Sequence, residues 1–178
     1  MNEKLEITGT IKTTKGDINI KFFPEVAPIA VINLITLNEC GYYTNRKFDR
    51  VEKNFVIQAG DPDNIGVEEL GYVFDNEVDT NYKYDKGGKL GVGNIGPGTN
   101  CSQFFITHVE VQRLNMGYTI FGEVATKKDL DVVNLIEVGD IIKSIVISGD
   151  TDKLRKNHKE FLEKVKSCMV KNYKKIKI

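Results

Sequence analysis

The run Phe48-Asp49-Arg50-Val51-Glu52-Lys53-Asn54-Phe55-Val56-Ile57-Gln58 sets a single arginine among apolar side chains. A guanidinium keeps its proton at neutral pH, so Arg50 can only donate hydrogen bonds and stabilise negative charge. Taken alone, the run fits equally an edge-strand arginine in a surface ion pair. Its pattern predicts two short strands about a Glu52-Lys53-Asn54 turn. A second stretch, Asn94-Ile95-Gly96-Pro97-Gly98-Thr99-Asn100, predicts a turn, and Ser102 to Thr107 then predicts a strand.

Other spacings carry less chemistry. Gly91-Val92-Gly93-Asn94-Ile95-Gly96 matches GxGxxG, but a dinucleotide site needs a helix to start there. Pro97-Gly98-Thr99-Asn100 follows instead. His108 and His158 have no second ligand at metal-binding spacing. Ser102 has no His–Asp pattern near it. Glu68 and Glu69 are adjacent rather than on one helical face, which is the pattern of solvated charge. Cys40, Cys101 and Cys168 are odd in number and far apart, with no CxxC pair. They predict neither a zinc site nor a disulfide framework, and are expected as reduced thiols in a cytoplasmic protein.

Taken together, FDRV, NFVIQAGDP, NIGPGTNCSQFFI and Phe121-Gly122 resemble the cyclophilins, the prolyl cis-trans isomerases. The resemblance runs from about Thr13 to Ser148. It implies that Arg50 is the catalytic arginine, with Gln58 and Gln103 lining the site and orienting it. Phe55, Val56, Phe105 and Leu114 match the proline pocket, and Val56 stands where methionine is common. Gly93 and Asn94 match the backbone that pairs with the peptide beside the proline. Tyr118 falls where many members have histidine and still walls the pocket. Arg113 falls where many eukaryotic members have tryptophan, and the arginine is not expected to wall the pocket. A cyclosporin-type ligand is therefore expected to bind with reduced affinity.

One departure is larger. Where the family has a glycine-rich GTGG run, this chain has Gly66-Val67-Glu68-Glu69. Glycine there allows unusual backbone angles and close approach of a peptide. Gly66, Glu68 and Glu69 are expected to border the groove. The two carboxylates would favour Lys or Arg ahead of the proline.

The implied function is rotation about X–Pro bonds in unfolded or flexible chains, assisting folding, without metal or cofactor. The alternative is a cyclophilin-fold binding module with weak or no activity. The altered glycine run favours that alternative; Arg50, Phe55, Gln58, Gln103 and Phe105 favour the enzyme. Partners are expected to be proline-containing peptides, not nucleic acid, with the chain a monomer.

The elements that must position these residues follow from periodicity. Leu5 to Lys12 and Ile18 to Phe22 alternate about a Thr14–Asp17 turn, which predicts a hairpin. Pro28 opens a helix over 29–39 that Gly41 ends. Strands are predicted at 48–51, 54–59, 89–92, 103–107, 119–125 and 141–147, with a second helix at 127–137. Residues 60–88 are rich in Gly, Asn and Asp and predict a long surface loop. Many short strands and two helices predict a closed antiparallel barrel. The resemblance makes this an eight-stranded barrel capped by two α-helices.

With 178 residues the chain is long enough to bury a real core. Its longest apolar runs are too short to span a membrane, and MNEKLEITGT lacks the apolar region of a secretory signal. Zero net charge hides an asymmetry. From Thr151 onward there are ten basic and three acidic residues, which leaves fifteen basic and twenty-two acidic before it. Residues 1–150 therefore form the expected isomerase domain, and 151–178 a basic helical extension. In it Leu154, His158, Phe161, Leu162, Val165 and Met169 recur at spacings of three and four, one apolar stripe on a helix. The stripe is expected to dock on the chain's own barrel rather than on a partner or membrane surface.

Overall fold

The computed structural model describes residues 4–61 and 69–173. Eight strands form a closed antiparallel barrel in the order β1-β2-β7-β5-β6-β4-β3-β8. They are β1 (Ile7–Thr13), β2 (Gly16–Phe22), β3 (Arg46–Glu52), β4 (Val56–Ala59), β5 (Lys89–Val92), β6 (Phe104–Thr107), β7 (Ile120–Val124) and β8 (Ile141–Gly149). Among the described residues the main α-helices are α1 (Pro28–Glu39), α2 (Lys127–Leu135), α3 (Thr151–Asn157) and α4 (Lys159–Asn172). Closure pairs every strand on both sides, so no polar edge is left open.

Pro28 is the first residue of α1, where its missing N–H costs nothing. The next two amides, of Ile29 and Ala30, donate to the Glu77 carboxylate at 2.9 Å each. This places an anion at the positive end of the helix. At the other end, Gly41 at φ 75° lets its N–H reach Asn38 and the Tyr42 N–H reach Leu37, at 2.9 and 3.0 Å. That is a Schellman stop. Ala30 through Leu37 are all buried, so α1 has no solvent face. A helix apolar all round must be covered on both sides. The barrel covers one side, and the C-terminal helices cover the other.

Helix α2 begins with a capping box. Asp129 accepts from the Thr126 N–H at 3.0 Å, and Thr126 Oγ1 accepts from the Asp129 N–H at 3.3 Å. Asp129 also accepts from the backbone and side chain of Asn19, tying α2 to β2. Burial pushes its carboxyl pKa up, but these donors outweigh it and hold the group below its usual range.

The C-terminal extension is two helices rather than one. The break is at His158, which has a non-helical backbone and serves as C-cap of α3 and N-cap of α4. Bending there lets Leu154 on α3 and Leu162, Val165 and Met169 on α4 enter one core together with α1. Phe161 packs edge-on against Tyr72 and Phe74. Asn172 donates to the Leu70 carbonyl at 3.0 Å.

The stretch 69–88 is irregular but is not merely surface. Leu70, Tyr72, Phe74 and Tyr84 are buried. Gly, Asn and Asp content describes the backbone of this segment and overlooks its aromatic anchors.

Candidate active site

Cross-strand register builds the site. Arg50 on β3 stands opposite Gln58 on β4, and Gln58 opposite Phe105 on β6; Phe105 in turn faces Gly91 on β5. The row lies on the outer face of the barrel. Ile57 and Ala59 of β4 point inward to the core.

A β-bulge sets Arg50 in that row. Phe48 pairs with Ala59 and Arg50 with Gln58, so Asp49 is the extra residue. In a regular strand, residues two apart share a face. Here Phe48 is fully buried in the core and Arg50 emerges on the opposite face. The bulge re-aims the side chain.

The result is a cleft of about 350 Å³. Phe55, Val56, Phe105, Leu114 and Tyr118 supply its apolar wall, and Arg50, Gln58, Gln103, Gly93 and Asn94 its polar one. All ten were expected from sequence. Ile95 also lines it and was missed, although the Asn-Ile-Gly-Pro turn contains it. Behind the wall, Phe105 stacks on Tyr84 at 5.7 Å and meets Tyr118 edge-on at 5.8 Å. These rings belong to a second apolar cluster, separate from the main core.

The guanidinium is gripped on two sides. Its Nη1 donates to Gln58 Oε1 at 3.0 Å, and its Nη2 is ion-paired with Glu52. Its carbon lies 5.6 Å from the Phe55 ring centre. The sequence pattern assigns Glu52 to a turn, whereas it is the last residue of β3. Its place two residues along β3 from Arg50, on the same face, is the signal that would have found it.

Gln103 donates from Nε2 to the Asp61 carbonyl at 3.1 Å, and its backbone carbonyl accepts from the Gly93 N–H at 2.9 Å. Asn94 Nδ2 reaches the Gly117 carbonyl at 3.3 Å, and Asn94 Oδ1 accepts from the Gly96 N–H at 3.1 Å. The glycines of the GxGxxG match have local reasons. A Cβ on Gly91 would sit 2.4 Å from the Phe105 ring, and one on Gly93 would sit 2.1 Å from Gln103 Oε1. Gly93→Ala should therefore expel Gln103 from the cleft. A drop of about tenfold or more in kcat/KM on a prolyl peptide is expected, with the fold kept. Wild-type kinetics in that variant would show Gln103 to be dispensable.

Glu69 does not border this cleft. Its carboxylate lies 3.8 Å from Arg46, whose guanidinium stacks 4.2 Å over Tyr42. A carboxylate compensated in this way adds little field to the groove, so the expected electrostatic border loses Glu69. Gly66 and Glu68 lie outside the described residues. Arg113 is not part of the cleft lining; it lies 4.4 Å over the ring of Phe55, which is part of that lining.

The remaining candidates stay outside the chemistry. Ser102 is buried with its hydroxyl 3.1 Å from that of Tyr42. Burial pushes the Cys101 thiol up to about 12. Among the described residues, no group of three or more His, Cys, Asp or Glu side chains could hold a metal ion, and no helix is long and apolar enough to cross a membrane.

Comparison with known proteins gives a consistent result. The family model described as cyclophilin type peptidyl-prolyl cis-trans isomerase/CLD matches residues 8–169. "Peptidyl-prolyl cis-trans isomerase 9" of Schizosaccharomyces pombe is 46% identical over 136 residues, covering 75% of this chain and 22% of that protein. This chain thus spans about a fifth of that relative, and 23% of one from Rhizopus delemar. A "peptidyl-prolyl cis-trans isomerase" of Helicobacter pylori is 38% identical over 140 residues, covering 79% of this chain and 86% of its own. Among solved structures, a Cryptosporidium parvum cyclophilin type isomerase superposes with a TM-score of 0.71 at 34% identity, over 82% of this chain and 99% of that one. The same protein in the presence of the dipeptide Ala-Pro gives 0.70 at 33% identity, over 80% and 99%.

Proposed function

Because this chain belongs to the cyclophilin type peptidyl-prolyl cis-trans isomerase family, we propose that it catalyses rotation about X–Pro peptide bonds in unfolded or flexible chains. The observation that carries this reading is the guanidinium of Arg50, gripped by Gln58 and Glu52 beside the apolar wall of a cleft of about 350 Å³.

Resonance gives the X–Pro bond double-bond character and a barrier of about 18–20 kcal/mol. As the bond twists, the proline nitrogen loses conjugation and becomes pyramidal. It then accepts a hydrogen bond that the planar amide refuses. Arg50, already aimed there, binds the twisted state better than either planar one, and that difference lowers the barrier. An acceleration of about 10⁵ requires about 7 kcal/mol. In this reading Phe55, Val56, Phe105, Leu114 and Tyr118 hold the proline ring. Gln58 orients Arg50, Gln103 packs beside it, and Gly93 and Asn94 hold the peptide preceding the proline. The chemistry needs no nucleophile.

We also place the protein in a reducing, cytoplasmic setting, a reading that the free thiols of Cys40, Cys101 and Cys168 support. Two-dimensional NMR exchange on an Ala-Pro peptide tests the activity directly. Substoichiometric protein should produce cis–trans exchange peaks within a mixing time in which the free peptide gives none. Their absence with the protein's site saturated by peptide would leave a binding module rather than an enzyme.

A further inference from the structure

The cleft has two chemically different ends. Phe55 immediately precedes β4, and Gly60-Asp61 immediately follows it. At the far end, Gln103 is bonded to Asp61 and Gly93. At the near end, Arg113 lies over Phe55. Among the described residues, none lining the cleft is acidic. The charge of Arg50 is engaged by Glu52. Arg113, by contrast, has no ion pair among the described residues, and it is exposed.

Its position is nonetheless fixed. Arg113 sits in a single 3₁₀ turn, Gln112–Leu114, between buried Val111 and buried Leu114. The Val111 N–H donates to the Tyr84 carbonyl at 2.9 Å, and the Leu114 N–H to Val111 at 3.1 Å. A guanidinium stacked on a ring by its flat face keeps the N–H donors at its edge available. Such an edge suits a carboxylate, which it can bind in a bidentate manner.

Resting on the isomerase reading above, we propose that Arg113 is a specificity-determining residue that selects X–Pro peptides with an acidic side chain just after the proline. If Gly93 and Asn94 hold the chain ahead of the proline, the chain beyond it leaves at the opposite, Phe55–Arg113 end. The interaction is solvent-exposed, so discrimination is graded and salt-sensitive.

The test uses three matched peptides with Glu, Gln or Lys after the proline, at low and high salt. Both kcat/KM by NMR exchange and Kd by NMR titration are measured. The Glu peptide should exceed the Lys peptide by about two- to fivefold at low salt and converge with it at high salt. In Arg113→Gln the Glu-to-Gln ratio should collapse toward one, whatever that variant's turnover of the Gln peptide. Arg113→Lys should keep part of the preference. Equal values for all three peptides in the wild type would overturn the proposal, as would a preference that survives in Arg113→Gln. If no peptide is turned over, the isomerase reading fails by itself. The three Kd values then still decide the charge preference by the same criteria.

Discussion

Arg50→Ala is expected to lower kcat/KM on an Ala-Pro peptide by about 10²–10³-fold, the cost of removing one preorganised donor aimed at a transition state. Its melting temperature should barely move. The side chain is half exposed, at 51%, and its ion pair with Glu52 contributes little to stability in water. A large catalytic loss with an unchanged fold separates transition-state binding from structural support. Arg50→Lys should recover little, because an ammonium cannot bridge Gln58 and Glu52 with a planar fork while still donating to the substrate. Unchanged turnover in Arg50→Ala would sink the mechanism.

Removing residues 152–178 is expected to have the largest effect on stability. It strips Leu154, Leu162, Val165 and Met169 from the core and uncovers one side of α1. Each buried side chain of this kind is worth about 1.5–3 kcal/mol, so the sum rivals the entire stability of a typical domain. The truncated chain should melt far below the full one or fail to fold, and should bind a hydrophobic dye. Met169→Ala gives a graded version. A loss of about 2–5 kcal/mol should appear in urea denaturation, with kcat/KM on short peptides unchanged. The same unfolding midpoint for Met169→Ala and wild type would mean that the stripe does not hold the helix down.

The apolar stripe rather than the charge asymmetry holds the extension in place. Arg155 clasps Glu39 of α1, and Lys159 faces Glu163 on its own helix. Exposed pairs of this kind add little. The more telling signal was in α1 itself. Its residues from Ala30 to Leu37 are all buried, and its two polar side chains there are satisfied, Thr36 by the Ile32 carbonyl and Asn33 by the Cys101 carbonyl. Such a helix requires cover on two sides, and the barrel supplies one. The C-terminal helices supply the other.

The sequence by itself determined the strand and helix order, the two capping signals of α1, and the residue types that meet in the cleft. Alternation, Pro and Gly act locally, so a linear reading recovers them. It also placed Arg50, Phe55, Gln58, Gln103 and Phe105 in one site, through the resemblance of their motifs to the cyclophilins. What only the tertiary structure decided are facts that depend on pairing between distant segments. The bulge at Asp49 turns Arg50 onto the face opposite Phe48, against the two-residue period of the strand. Glu69 is claimed by Arg46, far from it in the chain, and so is lost to the groove. The break at His158 splits one helical stripe into two helices, and the bend brings Leu154 of the first and Leu162, Val165 and Met169 of the second into one core with α1. Arg113 rests on Phe55, a contact between residues 58 positions apart that no local pattern encodes. In each case the backbone allowed more than one outcome, and packing against a remote partner selected among them.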